Sequence, residues 1–338
     1  MSNDETELRM NAWTAGDVPG EIQMCDFEKP WPAPDEVLVR VEACGVCRTD
    51  LHVVDRDLPV HRRRVVPGHQ VVGTVEVPGP AVRTLAPGDR VGIAWLRRTC
   101  GVCRWCREGR ENLCPDSEYT GWDADGGFAE YTTVPEAYAY SLPPSVDAVA
   151  TAPLLCAGII GYRALTRANL PPGGRLGIYG FGSSAHLTAQ IALAQGARLS
   201  VMTRGEAGRE LARDLGADFV GGATDASPTR HHAAIVFAPA GELVPHALQA
   251  TEAGGTVVLA GIHMSDVPAM AYQENLFHER DLRTVTANTR ADGAALLRLA
   301  TTLGFAPVVT TFPFSRADQA LRALRTGAAA GSLVITLG

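Results

Sequence analysis

The chain has 338 residues, enough for two domains that each bury their own core. With 46% hydrophobic residues, 20% charged and a formal net charge of -7, it reads as a globular protein with no general attraction for phosphate backbones, which excludes nucleic acid as an expected partner. The first ten residues carry Asp4, Glu5 and Glu7 without an apolar stretch, and no apolar run reaches the ~18 residues of a membrane span; neither signal peptide nor membrane partner is expected, and the protein is placed in the cytoplasm.

A frayed start is expected over residues 1–10. From 36 to 41, Val37, Val39 and Val41 alternate with Glu36, Leu38 and Arg40, the period of a strand that runs into Cys44. Arg62-Arg63-Arg64 is read as a solvated loop. Further strands are expected over 71–77, 90–94 and 128–134, separated by turn signals such as Pro78-Gly79-Pro80 and Pro87-Gly88-Asp89. Short strands with almost no helical periodicity predict a β-rich barrel to about residue 150. Strands are then expected at 175–179, 199–202, 234–237, 256–260 and 284–287, with helices at 183–195, 206–215 and 242–250 between them. This succession implies a parallel sheet with helices on both faces. Helices at 292–303 and 318–326 and a strand at 333–336 close the chain.

Eight cysteines in a reducing compartment read as metal ligands rather than disulfides. The stretch Cys44-Gly45-Val46-Cys47-Arg48-Thr49-Asp50-Leu51-His52 concentrates two thiols, a guanidinium, a hydroxyl, a carboxylate and an imidazole. Thiolates suit zinc, and a catalytic zinc takes three protein ligands and keeps one position open. A redox C-x-x-C pair is the alternative for Cys44 and Cys47. Cys100, Cys103, Cys106 and Cys114 put four thiols within fifteen residues, the donor set of a closed tetrahedral zinc site. An iron-sulfur cluster competes, because its spacing also begins C-x2-C-x2-C, but Cys114-Pro115 stands at the wrong distance for it. A second site is assembled from distant positions: Cys47 after a strand, His69 in Gly68-His69-Gln70, and Cys156 in Leu154-Leu155-Cys156-Ala157-Gly158. Each is weak taken singly; all three beside a four-thiol loop favour zinc.

Gly180-Phe181-Gly182-Ser183-Ser184-Ala185 lies between a strand and a helix. There the first glycine permits a tight turn, the second lets the backbone approach a pyrophosphate, and Ala185 allows close packing. Dinucleotide binders that take NAD carry an acid about twenty residues on. Here Val201-Met202-Thr203-Arg204 has none; Thr203 and Arg204 favour NADP(H) over NAD(H), while Glu206 keeps NAD(H) as the alternative.

On these motifs, in order and over nearly the whole length, the chain resembles the zinc-dependent alcohol dehydrogenases of the medium-chain dehydrogenase/reductase superfamily. The resemblance implies an α/β protein: a GroES-like β-barrel catalytic domain, 1–151 completed by 289–338, and a Rossmann-type doubly wound parallel sheet over 152–288. It implies reversible oxidation of a small alcohol to an aldehyde or ketone by hydride transfer to NAD(P), in a homodimer or homotetramer.

By the same resemblance Cys47, His69 and Cys156 hold a catalytic zinc and the cysteine quartet a structural one, with Cys44 buried beside the site and Cys25 without a role. The alcohol proton is expected to leave through Thr49 and the cofactor ribose to the His52 imidazole. Arg48 is expected to meet the pyrophosphate, and Asp50 to bond the far nitrogen of His69. Gln70 departs from the family's Gly-His-Glu; exchange at the zinc is expected to change while the hydride step survives. Trp95, Tyr119 and Trp122 are expected near the pocket, favouring slender primary alcohols and aldehydes, and His186, His231 and His232 are read as structural or surface residues. Two other readings stay open: an NADPH-dependent aldehyde reductase of cinnamyl-alcohol-dehydrogenase type, and a non-catalytic redox sensor that binds zinc and nucleotide.

Overall fold

A computed structural model of the chain describes residues 9–327 and 331–337; most of the expected frayed start lies outside them. Within the described residues the chain forms two compact units, one taking the chain to Cys156 with Asn288–Ala294 and the stretch from Val308, the other taking Ala157–Ala287 and Ala295–Pro307.

In the first unit β1 (Arg9–Ala15) and β2 (Ile22–Glu28) pair antiparallel. This hairpin was not expected, because its second strand buries none of its residues fully and shows no clear apolar alternation. Its first strand is fixed instead by Met10, Ala12 and Trp13, all buried, with the Trp13 indole donating to the Phe314 carbonyl at 2.8 Å. β3 (Glu36–Val46), β4 (Gln70–Pro78), β5 (Arg90–Ile93), β8 (Tyr131–Pro135) and β9 (Ala139–Ser141) follow. The two-stranded pair β6 (Leu96–Arg98) and β7 (Glu118–Tyr119) stands apart.

β3 organises this unit. Its residues Glu36–Arg40 pair with β8, its residues 43–46 pair with β17 (Ser332–Thr336), and β4 runs along nearly all of its other side. Register shifts between Leu38 and Val39 and between Val41 and Ala43 let one strand serve all three partners, since a bulge bends and twists the strand that carries it. β17 pairs in turn with β16 (Val309–Pro313), giving the order β16-β17-β3-β4-β5-β9. The core between these strands holds Val37, Val39, Val41, Val71, Ile93, Phe128 and Ile335. Helix α1 (Arg48–Asp55), directly after β3, was also not expected. At eight residues it is too short to show a persuasive helical period.

In the second unit β10 (Arg175–Tyr179), β11 (Arg198–Met202), β12 (Phe219–Gly221), β13 (His231–Val236), β14 (Thr251–Leu259) and β15 (Asp281–Thr284) form one parallel sheet in the order β12-β11-β10-β13-β14-β15. The order reverses between β10 and β13, the switch point at which such sheets bind their ligands. Helices α2 (Ala157–Ala168), α3 (Ser183–Ala194), α4 (Glu206–Asp214) and α5 (Leu243–Gln249) connect or cover the strands. The last strand lies at 281–284 rather than at the expected 284–287, so Asp281 and Arg283 belong to the sheet edge. Helix α6 (Arg290–Leu303) and helix α7 (Ala317–Thr326) fall where the apolar pattern put them.

One buried ion pair fastens the first unit away from its site. Arg97 and Glu36 are 5% and 8% exposed, and Arg97 Nη2 donates to Glu36 at 2.7 Å and to the Thr133 hydroxyl at 3.0 Å. Replacing Arg97 by Met leaves the buried Glu36 carboxylate with the half-exposed Arg98 at 3.5 Å as its cation and should lower unfolding stability by about 3 kcal/mol, whereas Arg97→Met with Glu36→Gln should cost much less than the two single changes summed. Denaturant unfolding of the four proteins checks this.

Candidate metal and cofactor sites

The first site begins where β3 ends. Cys47 is the N-cap of α1, with φ -128° and ψ 160°, and its backbone N–H donates to Asp50 Oδ2 at 2.8 Å. The other Asp50 oxygen accepts from the Gly68 N–H at 3.1 Å and lies 3.0 Å from His69 Nδ1. One buried carboxylate therefore ties the start of α1 to the Gly68-His69 turn. Gly68 is required there: its φ is +96° and a Cβ would come within 2.5 Å of the Phe128 ring.

Cys47 Sγ lies 3.9 Å from Cys156 Sγ, and these two sulfurs and a His69 ring nitrogen all lie within 4.8 Å of one another. His69 is fully buried, and its Nε2 has no hydrogen-bond partner. An orphaned, buried nitrogen beside two thiols is what a zinc ion resolves, because the Asp50 contact assigns the proton to Nδ1 and leaves the Nε2 lone pair for metal. Electrostatics agree. The Cys156 contact, opposed by burial and aided by His69, holds the Cys47 thiol well below its ordinary range. Burial disfavours the His69 cation, but Asp50 and Cys47 outweigh it and raise its pKa to about 10. The metal-free site thus keeps a proton that binding of a divalent ion would displace.

Cys44 is not a ligand. It is fully buried, burial pushes its thiol well up, and its sulfur faces the Gly45 carbonyl at 3.6 Å. Cys47 does open a helix after a strand, as a redox C-x-x-C would, but its sulfur is turned to Cys156. Thr49 is buried with Oγ1 3.5 Å from Cys47 Sγ, Arg48 is exposed, and His52 Nδ1 lies 2.8 Å from Asp57 Oδ2. Asp57 carried no signal in the sequence, being five residues on and in a turn. Gln70 is 2% exposed and sits over Gly45, where a Cβ would meet its Oε1 at 2.8 Å.

The three aromatics do gather beside this site. Trp95 packs edge-on to His69 with centroids 4.8 Å apart, stacks on Tyr119 at 5.0 Å and lies nearly parallel to Trp122 at 5.9 Å. His61 caps the stack on Trp122 at 4.0 Å and is held by Asp123 at 2.6 Å.

The four sulfurs of Cys100, Cys103, Cys106 and Cys114 also lie within 4.8 Å of one another, with two pairs at 3.5 Å. A tetrahedral zinc with bonds of about 2.3 Å separates its sulfurs by about 3.8 Å, so one ion fits and a cluster of several irons does not. All four thiols are free of disulfides. The Cys103 N–H donates to Cys100 Sγ at 3.4 Å; backbone N–H groups of Val102 and Cys103 lower the Cys100 pKa to about 7.

In the second unit the glycine loop follows the C-terminal end of β10. Gly180 has φ +84°, and a Cβ there would meet the Ala238 nitrogen at 2.8 Å; a Cβ at Gly182, the N-cap of α3, would meet nothing within 4 Å. The space at Gly182 is the close approach that a pyrophosphate needs, and Ser183 and Ser184 open the helix over it. Thr203 is 8% exposed just beyond β11, and Arg204 beside it is exposed. The Glu206 carboxylate is engaged by Arg209 at 2.7 Å and Arg213 at 3.0 Å. His186 and His231 are buried, and His232 accepts from the Arg175 N–H at 2.9 Å.

Comparison with known proteins agrees with this geometry. Residues 33–144 match the alcohol dehydrogenase GroES-like domain family and residues 185–302 the zinc-binding dehydrogenase family. The chain is 54% identical to the "Probable alcohol dehydrogenase AdhA" of Mycobacterium tuberculosis over 100% of both chains. It is 33% identical to an alcohol dehydrogenase of Geobacillus stearothermophilus over 97% of this chain and 99% of that one. The solved cinnamyl alcohol dehydrogenase of Sorghum bicolor superposes with a TM-score of 0.87 at 27% identity, covering 97% of each chain.

Two outcomes follow from the metal geometry. Asp50→Asn should weaken zinc at the Cys47-His69-Cys156 site by about 10–100-fold, measured by chelator competition. Cys103→Ser should leave about one zinc per chain instead of about two and lower the melting temperature, measured by elemental analysis and calorimetry.

Proposed function

The chain belongs to the zinc-dependent alcohol dehydrogenases, and from that premise we propose how its own residues divide the reaction. Cys47, His69 and Cys156 would hold the catalytic zinc, which would supply a Lewis acid for the alcohol or carbonyl oxygen. The observation that carries this is the buried, unpartnered Nε2 of His69 between two thiols. Asp50 keeps the His69 proton on Nδ1, and two thiolates neutralise the ion's charge. The buried Thr49 hydroxyl would relay the alcohol proton, accepting it while giving up its own. His52, with Nδ1 bonded to Asp57, would be the imidazole at the far end of that relay.

A bound nicotinamide cofactor would supply the hydride acceptor or donor. The loop from Gly180 to Ser184 would hold its pyrophosphate. We read the cofactor as NADP(H): Arg204 is exposed and has no carboxylate partner among the described residues, Thr203 lies beside it, and the nearest acid, Glu206, is already neutralised by Arg209 and Arg213. The parallel rings of Trp95 and Trp122 with Tyr119 form a rigid flat wall next to His69, which favours slender primary alcohols and their aldehydes. The same wall and the same cofactor reading suit an aldehyde reductase, the direction in which NADPH would drive the reaction.

The eight cysteines without a disulfide support a reducing compartment, and we read the enzyme as cytoplasmic; among the described residues no single helix is long and apolar enough to cross a membrane. The free edge of β15 suits pairing between copies, in a homodimer or homotetramer.

A panel of alcohols and aldehydes assayed against NAD(H) and NADP(H) in parallel, with zinc content measured, tests the whole reading. Arg204→Ala should raise KM for NADPH by about tenfold, the loss of a charge-assisted phosphate contact, and leave KM for NADH nearly unchanged. Equal effects on both cofactors would defeat the NADP(H) assignment.

A further inference from the structure

The glycine loop occupies the C-terminal end of the parallel sheet; a second concavity occupies the opposite end of the same unit. Arg230 immediately precedes β13, and residues 273–280 lead into β15, so this pocket lies at strand N-termini. Its volume is about 560 Å³, within the range of small-molecule sites. Arg230, Arg280, His278, Phe277, Gln273 and Glu274 are the lining residues that matter.

The two arginines are fixed close together without an acid between them. Arg230 Nη1 donates to the carbonyls of Gln249 at 2.6 Å and Thr251 at 3.3 Å, and Arg280 Nε donates to the same Thr251 carbonyl at 3.0 Å. Arg280 Nη1 is spent on the carbonyls of Glu274 at 2.9 Å and Asn275 at 3.3 Å. Neither guanidinium has a carboxylate partner among the described residues. The adjacent acid, Glu252, is taken by Arg175, with His232 Nε2 3.7 Å away. Burial, and then the charge of Arg230, lower the pKa of Arg280, which is what two converging cations without a counter-ion produce. Their remaining N–H groups have no acceptor among the described residues, and Phe277 offers a ring that is 51% exposed.

We propose that this pocket binds a phosphomonoester, its phosphate between Arg230 and Arg280 and its body against the Phe277 ring. Two guanidiniums anchored on one backbone carbonyl and lining one pocket, each with N–H groups to spare, match an anion with several equivalent oxygens. Glu274 in the same lining disfavours a second anionic group, so the body of the ligand is neutral. The pocket is separate from the cofactor loop, because strands β10 and β13 run parallel and the two sites lie off opposite ends.

The test is calorimetric titration of the zinc-loaded enzyme, saturated with NADP(H), using phenyl phosphate and then inorganic phosphate. About one phenyl phosphate should bind per chain, on the order of tenfold more weakly in Arg230→Gln and in Arg280→Gln, with turnover unchanged. Phe277→Ala should weaken phenyl phosphate and leave inorganic phosphate as it was. Both arginines also hold backbone carbonyls, so thermal melts accompany these variants; should either unfold, the wild-type titration and the exposed Phe277→Ala variant decide alone. No saturable binding up to millimolar phenyl phosphate, or binding indifferent to all three changes, would overturn the proposal.

Discussion

The whole catalytic half rests on one carboxylate. Asp50 is 1% exposed, and its two oxygens accept from Cys47, from Gly68 and from His69. A buried charge is tolerated only when its lone pairs are used, and here every use positions a ligand or the backbone next to one. The bond to Cys47 starts helix α1 at the residue whose sulfur must face inward. The bond to Gly68 holds a turn in left-handed backbone, and the contact with His69 chooses its tautomer. Fold and chemistry are therefore not separate requirements at this point, since the helix cap and the metal's supporting shell are the same atom pair.

Legibility in the sequence followed the distance over which each device is built. The cysteine quartet closes within fifteen residues, so spacing alone announced it. The glycine loop is equally local, and the parallel sheet showed itself through buried apolar strands such as Leu176 to Tyr179. Cys47, His69 and Cys156 span more than a hundred residues and were grouped only by their company with other motifs. What stayed hidden was structure held by tertiary contacts. The β1–β2 hairpin is fixed by Trp13 reaching Phe128 and Phe314, and no local pattern encodes that reach. Helix α1 owes its existence to the Asp50 cap more than to amphipathicity, and Asp57 meets His52 through a turn that the sequence does not mark.

The two candidate metal sites also differ in what surrounds their sulfurs. In the quartet, backbone N–H groups point at the sulfurs and four ligands close the coordination sphere, so the ion there can only staple residues 100–114. That staple has a purpose in the fold. Glu111 within it is 6% exposed and holds Arg290, where α6 begins, through both carboxylate oxygens at 2.7 and 3.0 Å. The structural site thus fixes the start of a helix that is remote in sequence.

The aromatic stack beside His69 is rigid. His69 is packed by Trp95, Trp95 by Tyr119 and Trp122, and Trp122 by His61, while the Trp122 indole donates to the Pro59 carbonyl at 2.8 Å. Each ring is held on two sides, so none can swing aside for a bulky group without unstacking its neighbour, and aromatic pairs of this kind are worth about 0.5–1.5 kcal/mol each. Arg62 paired with Asp125 at 2.8 Å, and Asp125 accepting from the Val66 N–H at 3.0 Å, fasten the loop that carries His61 to the loop that carries Trp122. A short run of contacts in this way reaches from the buried His69 to the surface, and it is the stiffness of that run, as much as its shape, that the stacked rings supply.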